Sequence, residues 1–418
     1  MTVMRESLLL TPEMQNENRY LRVPFELPPD TPSLEVRIRY DRRVGVIDLG
    51  CEGPAGWRGW SGGARASFVI GESDATPGYC PGTLEAGTWF VVLGLHAVPA
   101  DGVRIDIHIL RPAESAIDHG PIAAPVEGVP RGSARRLPAP RGLHWFAGDF
   151  HAHTLHSDGV ESISQVASRA AAAGLDFLAV TEHNTVSHHR HLPGEGARHA
   201  ITLVPGQEMT THRGHANAFG NIGFIDFRRP GREWADEVAN RGGLFSINHP
   251  IADDCSWLHP LQRVPNAVEV WHSTWYKDLT ATSILAWYHA WGHRPALLGG
   301  SDFHSPAAPA GPGTPTTWVA AEDASVEAIM AAVADGRTAI MGGVTLRDGV
   351  AVPDVLTAPV LLRVDGEVMA IDADGLVLVD GYGRRQAVHG DEVGFVADPS
   401  HGPYCLLRAD RTIAALCA

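Results

Sequence analysis

Residues 146–160 read FAGDFHAHTLHSDGV. An apolar, strand-like run ends in His151 and His153, two positions apart, and a Ser-Asp-Gly turn carrying Asp158 follows. A second run, Phe177–Val180, leads into Thr181-Glu182-His183-Asn184. Imidazole and carboxylate groups delivered at strand ends are the ligands a hydrolytic metal site uses. The pattern recurs downstream. Glu208 follows ITLVPGQ, His249 follows LFSIN, and Asp302 and His304 follow ALLGGS.

Around these motifs, residues 143–343 alternate strand-like and helix-like runs. Strands are expected at Leu143–Phe150, Phe177–Val180, Ile201–Val204, Leu244–Ile247, Ala267–Val270, Ala296–Leu298 and Thr317–Val319. Helices are expected at Ser162–Ala173, Glu233–Arg241, Ala281–Trp291 and Val326–Asp335. Repeated βα units predict a parallel sheet, open or closed into a barrel. In a barrel the C-terminal strand ends converge on one face, so residues about 150 positions apart in sequence would line one pocket.

The flanks differ. Residues 1–110 carry short alternating strands separated by Gly/Pro-rich turns, which predicts an all-β, sandwich-like domain. Residues 111–142 hold six prolines and few apolar residues, a linker or an extended strap. Residues 344–418 return to short β runs, a small C-terminal β domain or extension.

Histidine usage singles out the middle. Of 22 histidines, 17 fall between His144 and His304, where an even spread would place about 8 or 9. Five scattered cysteines without a CxxC pair read as reduced thiols. The formal charge of −15 disfavours non-specific binding to a phosphate backbone, while bound cations would still admit an anionic substrate. No run approaches the roughly 18 apolar residues of a membrane span, and the N-terminal stretch does not read as a secretory signal. A cytoplasmic protein is the expectation.

Several residues admit two readings. Asp158 is either a ligand reaching back from its turn or a cap for the helix after it. His215, in Gly214-His215-Ala216-Asn217, is a ligand or a turn histidine. His156 competes at HxHxxH spacing, with an orienting or surface role as the alternative. His188, His189, His191 and His199 fall in a polar stretch and read as solvated loop residues. Trp271, His272, Trp275 and Tyr276 form an aromatic wall for substrate or pack under a loop. Arg213, Arg228 and Lys277 are phosphate-binding candidates or surface charges. Asn184 and Asn248 stand next to ligand candidates and could orient their imidazoles.

In order, the motifs HAHTLHSDG, TEHN, GQE, GHAN, NHP and GGSDFH resemble those of the polymerase-and-histidinol-phosphatase (PHP) superfamily of metallohydrolases, over roughly residues 145–345. The strings FAGDFHAHT, RGHANAFG, GGLFSINHP and GTPTTWV look most like its carbamate-insecticide hydrolase branch. The resemblance implies a distorted (β/α)7 TIM-like barrel and two or three divalent ions, with zinc, manganese and iron all compatible with the donors. His151, His153, Glu208 and Asp302 would then hold one ion. Glu208 would bridge to a second, held also by His215 and His249. Asp158, His183 and His304 would serve a third or share the second. In several members the position of Asp158 is a histidine. Glu208, Asp302 and His304 are the catalytic candidates.

Three functions follow as expectations. The first is hydrolysis of a small-molecule ester, a phosphoester before others, by water activated between cations. The second is hydrolysis of a carboxyl or carbamate ester, with the aromatic wall holding the acyl or aryl group. The third is a degenerate, non-catalytic module, which the ligand-capable residues at all nine positions oppose.

Overall fold

In a computed structural model, residues 2–275, 282–292 and 295–418 are described. The chain divides into two compact units. One comprises Met1–Pro121, His153–Ser162 and Glu182–Arg190; the other comprises Ile122–Ala152, Ile163–Thr181 and His191–Ala418.

The first unit is built on eight strands: β1 (Thr2–Leu10), β2 (Tyr20–Leu27), β3 (Ser33–Arg39), β4 (Val46–Gly53), β5 (Gly56–Gly62), β6 (Ser67–Gly71), β7 (Gly87–Ala97) and β8 (Val103–Arg111). They form two four-stranded sheets, ordered β1-β8-β3-β6 and β2-β7-β4-β5. Their pairings are antiparallel. Inward side chains of both sheets, among them Val36, Phe68 and Ile107 from one and Phe25, Leu49 and Val91 from the other, share one hydrophobic cluster. Pro24 is tolerated because β2 is an edge strand, where a missing donor breaks no ladder. A short helix, α1 (Pro12–Glu17), is capped by Thr11, whose hydroxyl accepts from the Met14 amide.

The second unit holds a 13-stranded mixed sheet. Its first strands are β9 (His144–Asp149), β10 (Phe177–His183), β11 (Thr202–Thr211), β12 (Gly214–Phe219), β13 (Leu244–Ile247), β14 (Ala267–His272), β15 (Ala296–Gly300), β16 (Thr316–Ala321) and β17 (Thr338–Met341). Helices α2 (Ile163–Ala172), α3 (Leu192–His199), α4 (Gly231–Asn240), α5 (Thr282–Ala290) and α6 (Val326–Ala334) lie between them in the chain. α2 shows why they pack: Ile163, Val166, Ala167, Ala170 and Ala171 recur at helical spacing and are buried.

The expected parallel sheet forms only in part. β9–β10, β13–β14 and β14–β15 pair in parallel. β12 runs antiparallel to both neighbours, and β16 antiparallel to β9. Thr211 pairs with Gly214 across a turn made of His212 and Arg213. So short a connection can only reverse the chain, because a parallel crossover needs a dozen or more residues. The sheet is nevertheless strongly curled. The Thr317 hydroxyl of β16 accepts from the Gly299 amide (2.8 Å) and donates to its carbonyl (2.9 Å), bringing β15 beside β16 through a side chain. One apolar cluster draws Phe177, Val204, Phe219, Leu244, Ala267, Leu298 and Val319 from seven successive strands, with Ile329, Ala332 and Val333 of α6.

α3 falls in the stretch read as a polar loop. His199 inside it is buried and meets the Ser164 hydroxyl at 3.0 Å, and His188 is also fully buried, so neither is a solvated loop residue. The sheet continues past β17 into Ile413–Cys417, Tyr404–Leu407, Val377–Val379 and Arg385–Ala387. Much of the region after residue 344 thus extends this sheet and shares its core. Residues 122–142 run mostly without regular structure across the second unit; Arg131 donates to the His199 carbonyl and Ser133 to Asp176.

Candidate metal centre

In the second unit, five of the expected ligands come together. Glu208 on β11 is fully buried, and its Oε1 lies 3.4 Å from His151 Nε2, 3.2 Å from His215 Nδ1 and 3.4 Å from His249 Nε2. His151 Nε2 is also 3.1 Å from Asp302 Oδ1. His304 sits beside Asp302, with Nδ1 at 2.9 Å from the Asp302 carbonyl oxygen and 3.6 Å from its Oδ1. The register of the β11–β12 hairpin explains part of this. Glu208 pairs with Asn217 and Thr210 with His215, so side chains two apart on each strand share a face.

The ends of the strands are pinned from behind. Buried Asp149, at the end of β9, accepts from the amides of His151 (3.0 Å), Ser301 (3.1 Å) and Gly313 (2.7 Å) and from the Ser301 hydroxyl. Burial raises its pKa, and those hydrogen bonds pull the other way. His249 and Asp302 both hold left-handed backbone, at φ 25° and 51°. That conformation costs of order 1–3 kcal/mol for a residue with a side chain, and it persists where surroundings over-determine it.

Glu269, within the buried strand β14, has no place among the expected ligands. Its Oε1 is 3.1 Å from His151 Nδ1 and its Oε2 accepts from the His249 amide at 2.8 Å. It therefore fixes His151 through the nitrogen facing away from Glu208, the arrangement by which carboxylates orient metal-binding imidazoles. Gly300 makes this possible: a Cβ there would meet Glu269 Oε1 at 1.9 Å and His151 Cβ at 2.7 Å. Burial alone would lower the pKa of His151, but Asp302, Glu208 and Glu269 outweigh it and hold the pKa well above the usual histidine value. Burial works against ionisation of Glu269, and His151 overrides it, keeping the carboxyl below its ordinary pKa. Asn248 donates to Glu208 Oε1 at 2.8 Å, so it supports the carboxylate instead of the expected imidazole.

The first unit holds its own group. His153, Asp158 and His183 bring donor atoms within 4.8 Å of one another. The His153 and His183 rings stack at 4.3 Å, and His183 Nε2 is 3.5 Å from Asp158 Oδ1. Asp158 is exposed and faces these imidazoles. Glu182 is buried beneath them and ties the two segments together, accepting from the Thr154 amide at 2.9 Å and from the Thr154 and Ser157 hydroxyls. Burial pushes its pKa up to about 7 in spite of those bonds. β5 and the turn after it hold the same segments. Arg65 donates to the Ser157 carbonyl at 3.1 Å and to that of Leu155, and Trp57 Nε1 donates to the Asn184 carbonyl at 3.1 Å. His156 is buried with Nδ1 2.8 Å from the Ser187 hydroxyl, which is a packing role and not a surface one.

The substrate-binding candidates scatter. Trp271 is buried with its indole against Gly342, so it packs as core. Trp275 is half-buried, stacks on His272 at 4.8 Å and meets His249 edge-on at 6.5 Å. Arg228 forms a two-pronged pair with Asp226 at 2.8 and 2.9 Å, and Arg213 donates to the Leu258 carbonyl at 2.9 Å. Tyr276 and Lys277 lie outside the described residues. His272, expected in an aromatic wall, instead places Nε2 3.3 Å from Asp302 Oδ2, and Cys255, which no motif singled out, places Sγ 3.3 Å from His249 Nδ1. Glu269 alone left a sequence signal, a lone charge inside the apolar run AVEVW.

These donor sets fit divalent cations. Imidazole nitrogens and carboxylate oxygens converge in each unit, and within the second unit three carboxylates surround the buried His151. Excess buried negative charge of this kind is costly without a cation.

No family model matches the chain, and no curated protein matches it. It is similar to several solved structures. One is a two-domain protein containing a predicted PHP-like metal-dependent phosphoesterase from Bacteroides vulgatus (17% identity, 72% of this chain and 91% of that one, TM-score 0.39). Another is an amidohydrolase from Chromobacterium violaceum (18%, 38% and 88%, TM-score 0.30). A third is described as a metal-dependent phosphoesterase from Bifidobacterium adolescentis (15%, 40% and 90%, TM-score 0.30).

Proposed function

We propose that this chain is a metal-dependent hydrolase of the PHP type that cleaves an ester-type bond, a phosphoester before others, with the curled sheet of the second unit as its distorted barrel. The observation that carries this is the convergence of three imidazoles, His151, His215 and His249, on one oxygen of the buried Glu208. A carboxylate so placed is suited to bridge two cations. His151 and Asp302 would serve the ion on one side, and His215 and His249 the ion on the other. His153, Asp158 and His183 would hold an ion in the first unit.

Bound cations supply Lewis acidity and lower the pKa of water toward neutrality. The chain's own contribution is positional. Glu269 fixes the His151 ring, Asn248 fixes the Glu208 carboxylate, and Asp149 anchors the loop that delivers Asp302. His304, next to Asp302 and half-buried, is placed to hold or pass a proton at Nδ1 or Nε2.

A second reading, hydrolysis of a carbamate or carboxyl ester as in the branch whose strings this chain resembles, is favoured by one observation. Trp275 offers an aromatic face beside His249 and His272, while the guanidinium of Arg228 is already engaged by Asp226. Elemental analysis of the purified protein, run beside phosphomonoester, phosphodiester and aryl-carbamate substrates, tests both. Two or three ions per chain with phosphoester turnover supports the first reading. Turnover of aryl carbamates alone selects the second. A protein that binds no cation and stays inactive after manganese or zinc is added overturns both.

A further inference from the structure

An irregularity in β14 decides where its last side chains point. Against β15, Glu269 pairs with Leu298 and Trp271 with Gly299, so Val270 is an extra residue on β14. Strict alternation would put Glu269 and Trp271 on one face and His272 on the other. The bulge breaks that alternation, as bulges beside functional sites do. Trp271 turns into the core against Gly342. Glu269 reaches His151, and His272, three residues on, reaches Asp302. The register completes the approach: His272 pairs with Gly300, two residues before Asp302.

Hydrogen bonds around the buried His272 imidazole fix its tautomer. The Thr274 amide donates to Nδ1 at 3.3 Å, and the Thr274 hydroxyl lies 2.8 Å from the same nitrogen. An amide N–H only donates, so Nδ1 is the acceptor and the ring proton sits on Nε2. Nε2 therefore donates to Asp302 Oδ2 at 3.3 Å, while Oδ1 of that carboxylate faces His151 Nε2 at 3.1 Å. Both nitrogens of His272 are thereby engaged, and the ring can act on a cation only through Asp302. Trp275 keeps the donor ring in place. Its indole stacks on His272 at 4.8 Å, and its Nε1 donates to the Val270 carbonyl at 3.0 Å.

We propose that His272 is a positioning residue of the cation centre: its Nε2–H holds Asp302 Oδ2, so that Oδ1 stays turned toward His151, on the side where the ion binds. A buried donor on one carboxylate oxygen is strengthened by the low local dielectric and leaves the other oxygen to the metal. The inference rests on the reading of Asp302 as a cation ligand, and it gives His272 a role that the motif resemblance does not assign.

The test uses the full chain, stripped with chelator and titrated with cobalt(II), whose visible bands report binding. His272→Phe keeps a ring against Trp275 and removes the donor, whereas His272→Gln supplies an amide donor in its place. The Phe variant is expected to bind cobalt about 10–100-fold more weakly in chelator competition, the usual cost of losing an orienting partner. Its visible bands should shift, because Asp302 is free to turn. The Gln variant should keep affinity and bands close to those of the wild type. Packing alone predicts the reverse order, since Phe fills the ring's place and Gln does not. Wild-type affinity in the Phe variant, or a loss in the Gln variant as large as in Phe, overturns the positioning role whatever the unfolding midpoints and leaves the hydrolase reading standing. A wild-type chain that takes up no cobalt overturns both.

Discussion

The two ligand groups use the same imidazole and carboxylate chemistry on different supports. Around Glu208 the donors sit on or just after strands, and His151, Glu208 and His249 are almost fully buried. Around His183 they sit in two segments grouped with the N-terminal β strands, and Asp158 is exposed. The first group is stiffened by sheet register and by carboxylates behind the rings. The second has His183 at the end of β10 but His153 and Asp158 in loop backbone that Glu182 and Arg65 hold. A site supported by ladders should hold its ion tightly and fail abruptly when its frame is disturbed. A site held by a few side-chain bonds should exchange its ion and lose it without loss of fold.

Four substitutions would break or sharpen that contrast. Glu208→Gln should have the largest effect, lowering turnover by several orders of magnitude and stripping ions from the second unit, read by steady-state kinetics and elemental analysis. Near wild-type turnover would show that Glu208 is no hub. Next comes Gly300→Ala. A methyl group 1.9 Å from Glu269 Oε1 must push that carboxylate or His151 aside. Overpacking of this kind costs about 1–3 kcal/mol, and the drop in unfolding midpoint should come with reduced ion content; an unchanged midpoint would mean the pocket yields freely.

Glu269→Gln keeps the shape and weakens only the carboxylate behind His151. Loss of such an orienting group typically costs about 10–100-fold in metal affinity, so chelator competition should read a shift in that range while the fold persists. No shift would leave Glu269 a packing residue. The smallest effect on stability is expected for Asp158→Ala, within about 0.5 kcal/mol because the site is exposed. It should release the ion of the first unit and spare those around Glu208. Equal loss from both groups would erase the distinction between them.

The strand-end histidines were legible because a polar ligand after nearly every apolar run has no structural purpose. The same logic found Glu208 and Asp302. It missed Glu269 because that charge lies inside a strand, where only the register of β14 shows which neighbours it meets. It missed Cys255 because a lone thiol carries no spacing signal and reaches His249 only through a folded-back segment. The parallel-sheet expectation failed at β12, where the two-residue turn His212-Arg213 is the local cause, and again at β16, which runs antiparallel to β9 and β17. α3 was masked by Gly194 and Gly196, poor helix formers whose cost tertiary packing of Leu192 and His199 overrides, while Pro193 sits in the first turn, where its missing donor breaks no bond. Trp271 looked like a pocket wall from its position after the expected strand Ala267–Val270, but a strand end does not reveal that Gly342 leaves room for an indole.

That turn also sets a limit on how this gene can vary. Lengthening it by one residue would slide β12 against β11 and send His215 and Asn217 to the opposite face, because side chains alternate with a period of two. Glu208 would then face its partners with one imidazole missing, though every ligand codon remained intact. Chains descended from this one should therefore show length variation in many loops and none between Thr211 and Gly214, where an insertion acts as a ligand deletion.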